Sequence, residues 1–114
     1  SSIQVLATEH RFEKWSNIPS ERNKLLTLLQ SLDSRVIVVS GDRHRAGLYQ
    51  YNDITEITAS SLNRPTYSEE TDSLLLGKTY TENNFGLISI EKDIVEISVI
   101  NVDNQTLESL ILEI

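Results

Sequence analysis

Four consecutive β-branched residues, Val36, Ile37, Val38 and Val39, constrain the fold of this chain more than any other stretch. A half-exposed strand alternates apolar with polar side chains, whereas an unbroken apolar run describes a strand covered on both faces. The expectation is a strand in the middle of a sheet. Ser40-Gly41-Asp42-Arg43-His44-Arg45 follows directly at its carboxyl end. Gly41 removes side-chain bulk where the backbone must turn, and Asp42 and His44 then bring a carboxylate and an imidazole to the strand end.

Open α/β sheets bind ligands in the crevice outside the carboxyl ends of their strands. A carboxylate is a hard oxygen donor and a neutral imidazole a nitrogen donor suited to Zn or Fe, which makes Asp42 and His44 candidate metal ligands. A metal site needs three or four donors. The chain has no Cys and only one further His, His10, so the remaining donors would be carboxylates, amides or groups outside this chain. The competing reading is a turn aspartate and a surface histidine after a core strand.

Upstream, residues 3–7 are mostly apolar and read as a first strand. His10 and Arg11 lie just past its end, where phosphate contacts and a solvated loop are both open readings. Trp15 either packs on the sheet end or lines a cleft. Pro19-Ser20-Glu21-Arg22 opens a helix, with Ser20 as N-cap and Glu21 in the first turn, where the positive helix end favours an acid. Leu25, Leu28, Leu29 and Leu32 recur at helical spacing and are expected to face a sheet. A strand on either side of that helix makes a βαβ unit, with parallel strands and a right-handed crossover.

Downstream, Asn52-Asp53 is a turn pair between two short strand candidates, Ala46–Tyr51 and Ile54–Ala59. Residues 60–82 lose periodicity and read as a long loop with a helical turn near Leu74, Leu75 and Leu76. From Phe85 the period returns to two, through Val95, Ile97 and Val99 and on to residues 107–114, with turns at Glu91-Lys92-Asp93 and Asp103-Asn104. These segments form an antiparallel meander with one face inward. The expected fold is a mixed α/β (α+β) unit, a βαβ unit plus antiparallel C-terminal strands, spanning residues 1–114.

Ten basic against 17 acidic residues give a net charge of −7, which opposes a polyanionic partner, so nucleic acid is not expected. No apolar run approaches the roughly 20 residues that span a bilayer, and no signal peptide is visible. Without Cys there are no disulfides, and the compartment stays open. No Gly-rich phosphate loop or Ser-His-Asp spacing is present.

The run Val36-Ile37-Val38-Val39-Ser40-Gly41-Asp42-Arg43-His44 resembles the last metal-ligand motif of the alkaline phosphatase D (PhoD-like) family of calcineurin-like metallophosphoesterases. Three more blocks resemble that family in the same order: Glu13-Lys14-Trp15-Ser16-Asn17-Ile18-Pro19 with Glu21-Arg22 before a helix, Glu56-Ile57-Thr58-Ala59-Ser60-Ser61-Leu62 after the metal motif, and Asn83-Asn84-Phe85-Gly86-Leu87-Ile88-Ser89-Ile90 opening a C-terminal hairpin. The resemblance implies the C-terminal half of an α/β/β/α sandwich, whose other half would carry the first ligand motifs. A chain that opens on Ser1-Ser2 and holds no Met is expected to be a processed or truncated product of that kind.

The implied activity is hydrolysis of a phosphoric ester, monoester or diester, at a centre of two divalent or ferric ions drawn from Fe, Ca, Zn and Mn. His44 would ligate through one ring nitrogen, and Asp42 would be a ligand of the adjacent metal or a carboxylate behind it. Arg43 or Arg45 would contact phosphate or be ion-paired. The implied partners are a phosphate ester substrate and the other half of the same protein. The 114 residues alone are expected to be inactive, to bind metal weakly and to self-associate through a sheet face or edge. The alternative is a non-catalytic β-rich binding or interaction module.

Overall fold

Pro19 sets the start of the single α-helix, because its fixed φ suits the first helical turn and its missing N–H is one that the turn leaves unpaired. The helix, α1, spans Pro19–Gln30 in a computed structural model that describes all residues 1–114. Ile18 occupies the N-cap position and no side chain caps the helix, so Ser20 lies inside the first turn and is not the cap expected of it; Glu21 is in that first turn as expected. No helix is long and apolar enough to cross a membrane.

The inward face of α1 is Arg22, Leu25, Leu26 and Leu29, spaced i, i+3, i+4, i+7, with Leu26 buried and the other three half-buried. Leu26 is 5% exposed, whereas Leu28 and Leu32 are 60% and 50% exposed. The expected stripe of Leu25, Leu28, Leu29 and Leu32 is therefore corrected by part of a turn. Arg22 supplies the reason: its Nε and Nη2 donate to the carbonyl oxygens of Val5 and Leu6, each at 2.9 Å. Those two charge-assisted bonds set the rotation of the helix about its axis and turn Leu28 to solvent.

Residues 3–7 are not a strand. The side chains of Val5, Leu6 and Ala7 are buried, but the N–H groups of Val5 and Leu6 donate to the Glu56 carboxylate at 2.9 and 2.6 Å, while their carbonyls accept from Arg22. Backbone groups engaged by side chains have nothing left for a ladder. The expected βαβ unit is accordingly absent, and the helix joins an irregular buried segment to the first strand.

The strands divide between two sheets. β1 (Val36–Ser40), β2 (Ala46–Tyr51), β3 (Ile54–Ala59) and β4 (Leu75–Tyr80) form one sheet in the order β1-β3-β2-β4. In it β1 and β3 are parallel and the other pairs antiparallel. β5 (Asn84–Glu91), β6 (Ile94–Asn101) and β7 (Thr106–Glu113) make the antiparallel meander. The fold is α+β. β4 replaces the helical turn expected near Leu74, Leu75 and Leu76; its strand pairs with β2 across a register shift between Ala46 and Leu48.

The position of β1 is the largest departure from expectation. It is an edge strand, with β3 on one side only, and Val39 is 56% exposed. At the far end of β1 the Ser1 amine donates to the Val39 carbonyl at 2.9 Å.

Two apolar clusters hold the layers together. Ala46, Leu48 and Ile57 pack against Val95, Ile97, Val99 and Leu112 between the sheets. On the other face of the first sheet, Tyr49 and Ile54 pack against Val5, Leu6, Ala7 and Leu26. At Gly86 the β5 backbone passes close to β3, since a Cβ there would lie 2.8 Å from Ile57 Cδ1 and 3.3 Å from the Ala59 Cβ.

Candidate functional site

Because β1 and β3 run parallel, with Ser40 opposite Thr58, their carboxyl ends open onto the same rim. The link from β1 to β2 turns there, with Gly41 beside Ser60: a Cβ at that position would lie 3.4 Å from the Ser60 Cβ, an ordinary contact. Asp42 and His44 then take left-handed backbone conformations, with φ of 70° and 51°. Between and after them, Arg43 and Arg45 are 8% and 6% exposed, while Asp42 and His44 are exposed. The loop therefore alternates, arginines in and candidate ligands out.

The inward arginines converge on Glu70. Arg43 donates to its Oε1 from Nε at 3.0 Å and from Nη2 at 2.7 Å, and Arg45 Nη1 donates to the same oxygen. Arg45 further donates from Nε to the Ser68 carbonyl at 3.1 Å and from Nη2 to the hydroxyls of Ser68 and Thr66. Of the two readings of these arginines, ion pairing is the one observed. The Phe12 ring lies against Arg43, with its centroid 4.5 Å from Cζ, and the exposed Arg11 lies 5.4 Å from the same ring.

Asp42 and His44 form no ion pair, and no group of three or more His, Cys, Asp or Glu residues gathers in the chain. A free carboxylate and a free imidazole on one rim suit a divalent or ferric ion in chemistry, but two donors do not close a site. His10 does not join them. Its Nε2 is bonded to Gln4 Oε1 at 2.9 Å and its Nδ1 accepts the Phe12 N–H at 3.1 Å. Burial, with Arg43 next in effect, lowers the pKa of His10 below 6.5. Trp15 packs beside the buried segment, its Nε1 donating to Ser1 Oγ at 3.2 Å.

Behind the rim lies a buried polar network that the sequence alone did not single out. Gln4 Nε2 donates to Thr58 Oγ1 at 2.9 Å, and Thr58 and Ser40 share a hydroxyl bond of 2.8 Å. Glu56, fully buried, receives Val5 and Leu6; burial pushes its carboxyl up, and the bonds from Ser40, Val5 and Leu6 oppose the rise. Glu56 carried one legible signal, an acid inside an otherwise apolar and β-branched strand. Glu70 carried none, since its loop has no periodicity. The chain matches no protein-family model and no curated protein.

Proposed function

We propose that this chain supplies Asp42 and His44 as ligands to a metal-dependent phosphoric ester hydrolase of the PhoD-like kind, with the remaining donors on another part of the same protein. The observation that carries the reading is the loop geometry. Two metal-capable side chains are exposed and unpaired, in backbone conformations that cost an L-residue roughly 1–2 kcal/mol each, while the arginines between and beside them are tied inward.

His44 offers a ring nitrogen and Asp42 a carboxylate at the carboxyl end of a strand. Arg43 and Arg45 are engaged by Glu70 and stand behind the site, not on the phosphate. A metal ion held there would supply positive charge to the phosphoryl oxygens and lower the pKa of an attacking water. The free edge of β1 and the exposed Ile88 and Ile90 of β5 support a sandwich that continues into a second half. The partners in this reading are that half and a phosphate ester.

The test is a His44→Ala variant of the full-length protein. It should keep its fold, because no core volume is removed, and lose most aryl phosphate ester hydrolysis together with bound metal. Parent-like turnover with unchanged metal content would overturn the reading and leave the β-rich binding module.

A further inference from the structure

We infer that Glu70 is the positioning residue of the 42–44 loop: by gripping Arg43 and Arg45 together, its carboxylate holds Asp42 and His44 outward. The inference rests on the metal-ligand reading of those two residues.

Arg43, His44 and Arg45 are consecutive, so the side on which the arginines lie decides the side on which His44 lies. Both guanidinium groups are almost fully buried, and both reach the single oxygen Glu70 Oε1. Two buried cations meeting at one carboxylate are stable only while that carboxylate is there; without it they are desolvated and repel each other. The least costly relief is for the arginines to swing into water, and the alternation of the loop then carries Asp42 and His44 off the rim.

Glu70 is itself fixed. Its N–H donates to Oγ1 of the buried Thr79 on β4 at 2.9 Å. Two residues on, Asp72 Oδ2 accepts the N–H groups of Thr8 and Glu9 at 2.7 and 3.0 Å. The segment between β3 and β4 is thus a wall fastened at several points, and the 42–44 loop leans on it.

The experiment is a Zn²⁺ titration of the ¹⁵N-labelled full-length protein, read at the His44 imidazole, for the parent, Glu70→Ala, Glu70→Gln and Leu26→Ala. Glu70→Ala should weaken the His44 response by roughly 10–100-fold, the usual cost of losing a residue that orients a metal ligand. Glu70→Gln, which keeps an acceptor but not the charge, should weaken it less. Leu26→Ala lowers stability far from the loop and should leave the affinity unchanged, which separates positioning from general destabilisation. A folded Glu70→Ala with parent affinity overturns the inference; if that variant does not fold, Glu70→Gln with parent affinity does so. Should Zn²⁺ leave His44 of the parent untouched, the ligand reading fails on its own. The clamp is then judged by ¹⁵N relaxation, with the Asp42 and His44 amides ordered in the parent and mobile in the Glu70 variants; equal order overturns it.

Discussion

Nε2 of His10 lies 2.9 Å from Oε1 of Gln4, and the bond between them has one direction. The Phe12 N–H can only donate, and it donates to Nδ1, so the neutral ring carries its proton on Nε2 and passes it toward Gln4. The Gln4 amide then donates to Thr58, whose own hydroxyl proton is left for Ser40. A single donor order thus runs from the loop after the buried segment to the last residue of β1, immediately before the candidate ligands.

His10 should therefore titrate as a neutral-favouring histidine. Burial first, then Arg43, lowers its pKa; Glu70 opposes them, Lys14 adds a lesser lowering and Asp72 a lesser rise. With the folded value below the unfolded one, the stability from the neutral ring is complete above pH 6.5 and falls as pH drops from 6.5 to the lowered value. Imidazole ¹⁵N spectra should show the Nε2–H tautomer and a midpoint under 6.5. An Nδ1–H tautomer would sink the donor order.

The rotation of α1 is open to a paired test. Leu26→Ala should cost about 2–5 kcal/mol, as for a buried leucine in a packed core. Leu28→Ala, on the solvent face, should stay within about 0.5 kcal/mol of the parent. Urea melts of both variants measure the difference, and equal midpoints would mean that Arg22 does not set the helix face.

Glu56→Gln should destabilise the chain by about 1–3 kcal/mol, because an amide group offers one acceptor oxygen where Val5 and Leu6 now have two. The loss depends on pH. Burial raises the Glu56 pKa in the fold, so this group contributes most below its ordinary value of 4.5 and less as pH rises through the raised value. The gap between the parent and the glutamine variant should accordingly be wider at acid than at alkaline pH in paired denaturation curves. A gap that widens toward alkaline pH would reverse the assigned direction.

Gly86→Ala tests the close approach of β5 to β3. Its added Cβ would meet Ile57 Cδ1 at 2.8 Å, and forcing one carbon into a packed interface costs about 1–3 kcal/mol. Thermal melts should show the loss. A variant as stable as the parent would show that the Ile57 side chain moves aside freely.

Local patterns carried much of the architecture. The β2–β3 hairpin follows from the Asn52-Asp53 turn pair, and the β5–β6–β7 meander from period-two alternation between short polar turns; Asn52, Lys92 and Asn104 adopt positive φ in these turns. Asp42 and His44 at a strand end were legible for the same reason, since neighbours in sequence remain neighbours in space. Other features depended on groups far away in the chain. Residues 3–7 are as apolar as a strand, but their amides are taken by Glu56, 50 and 51 residues on. The four β-branched residues of β1 describe a wish for cover on both faces, yet which chain lies beside a strand is decided by the assembly of the sheet, and here β1 is at its edge. Which of the side chains from Asp42 to Arg45 lie inward was not legible. That was decided by Glu70, 27 residues from Arg43, because a buried guanidinium must find a carboxylate and periodicity cannot say where in the chain one waits.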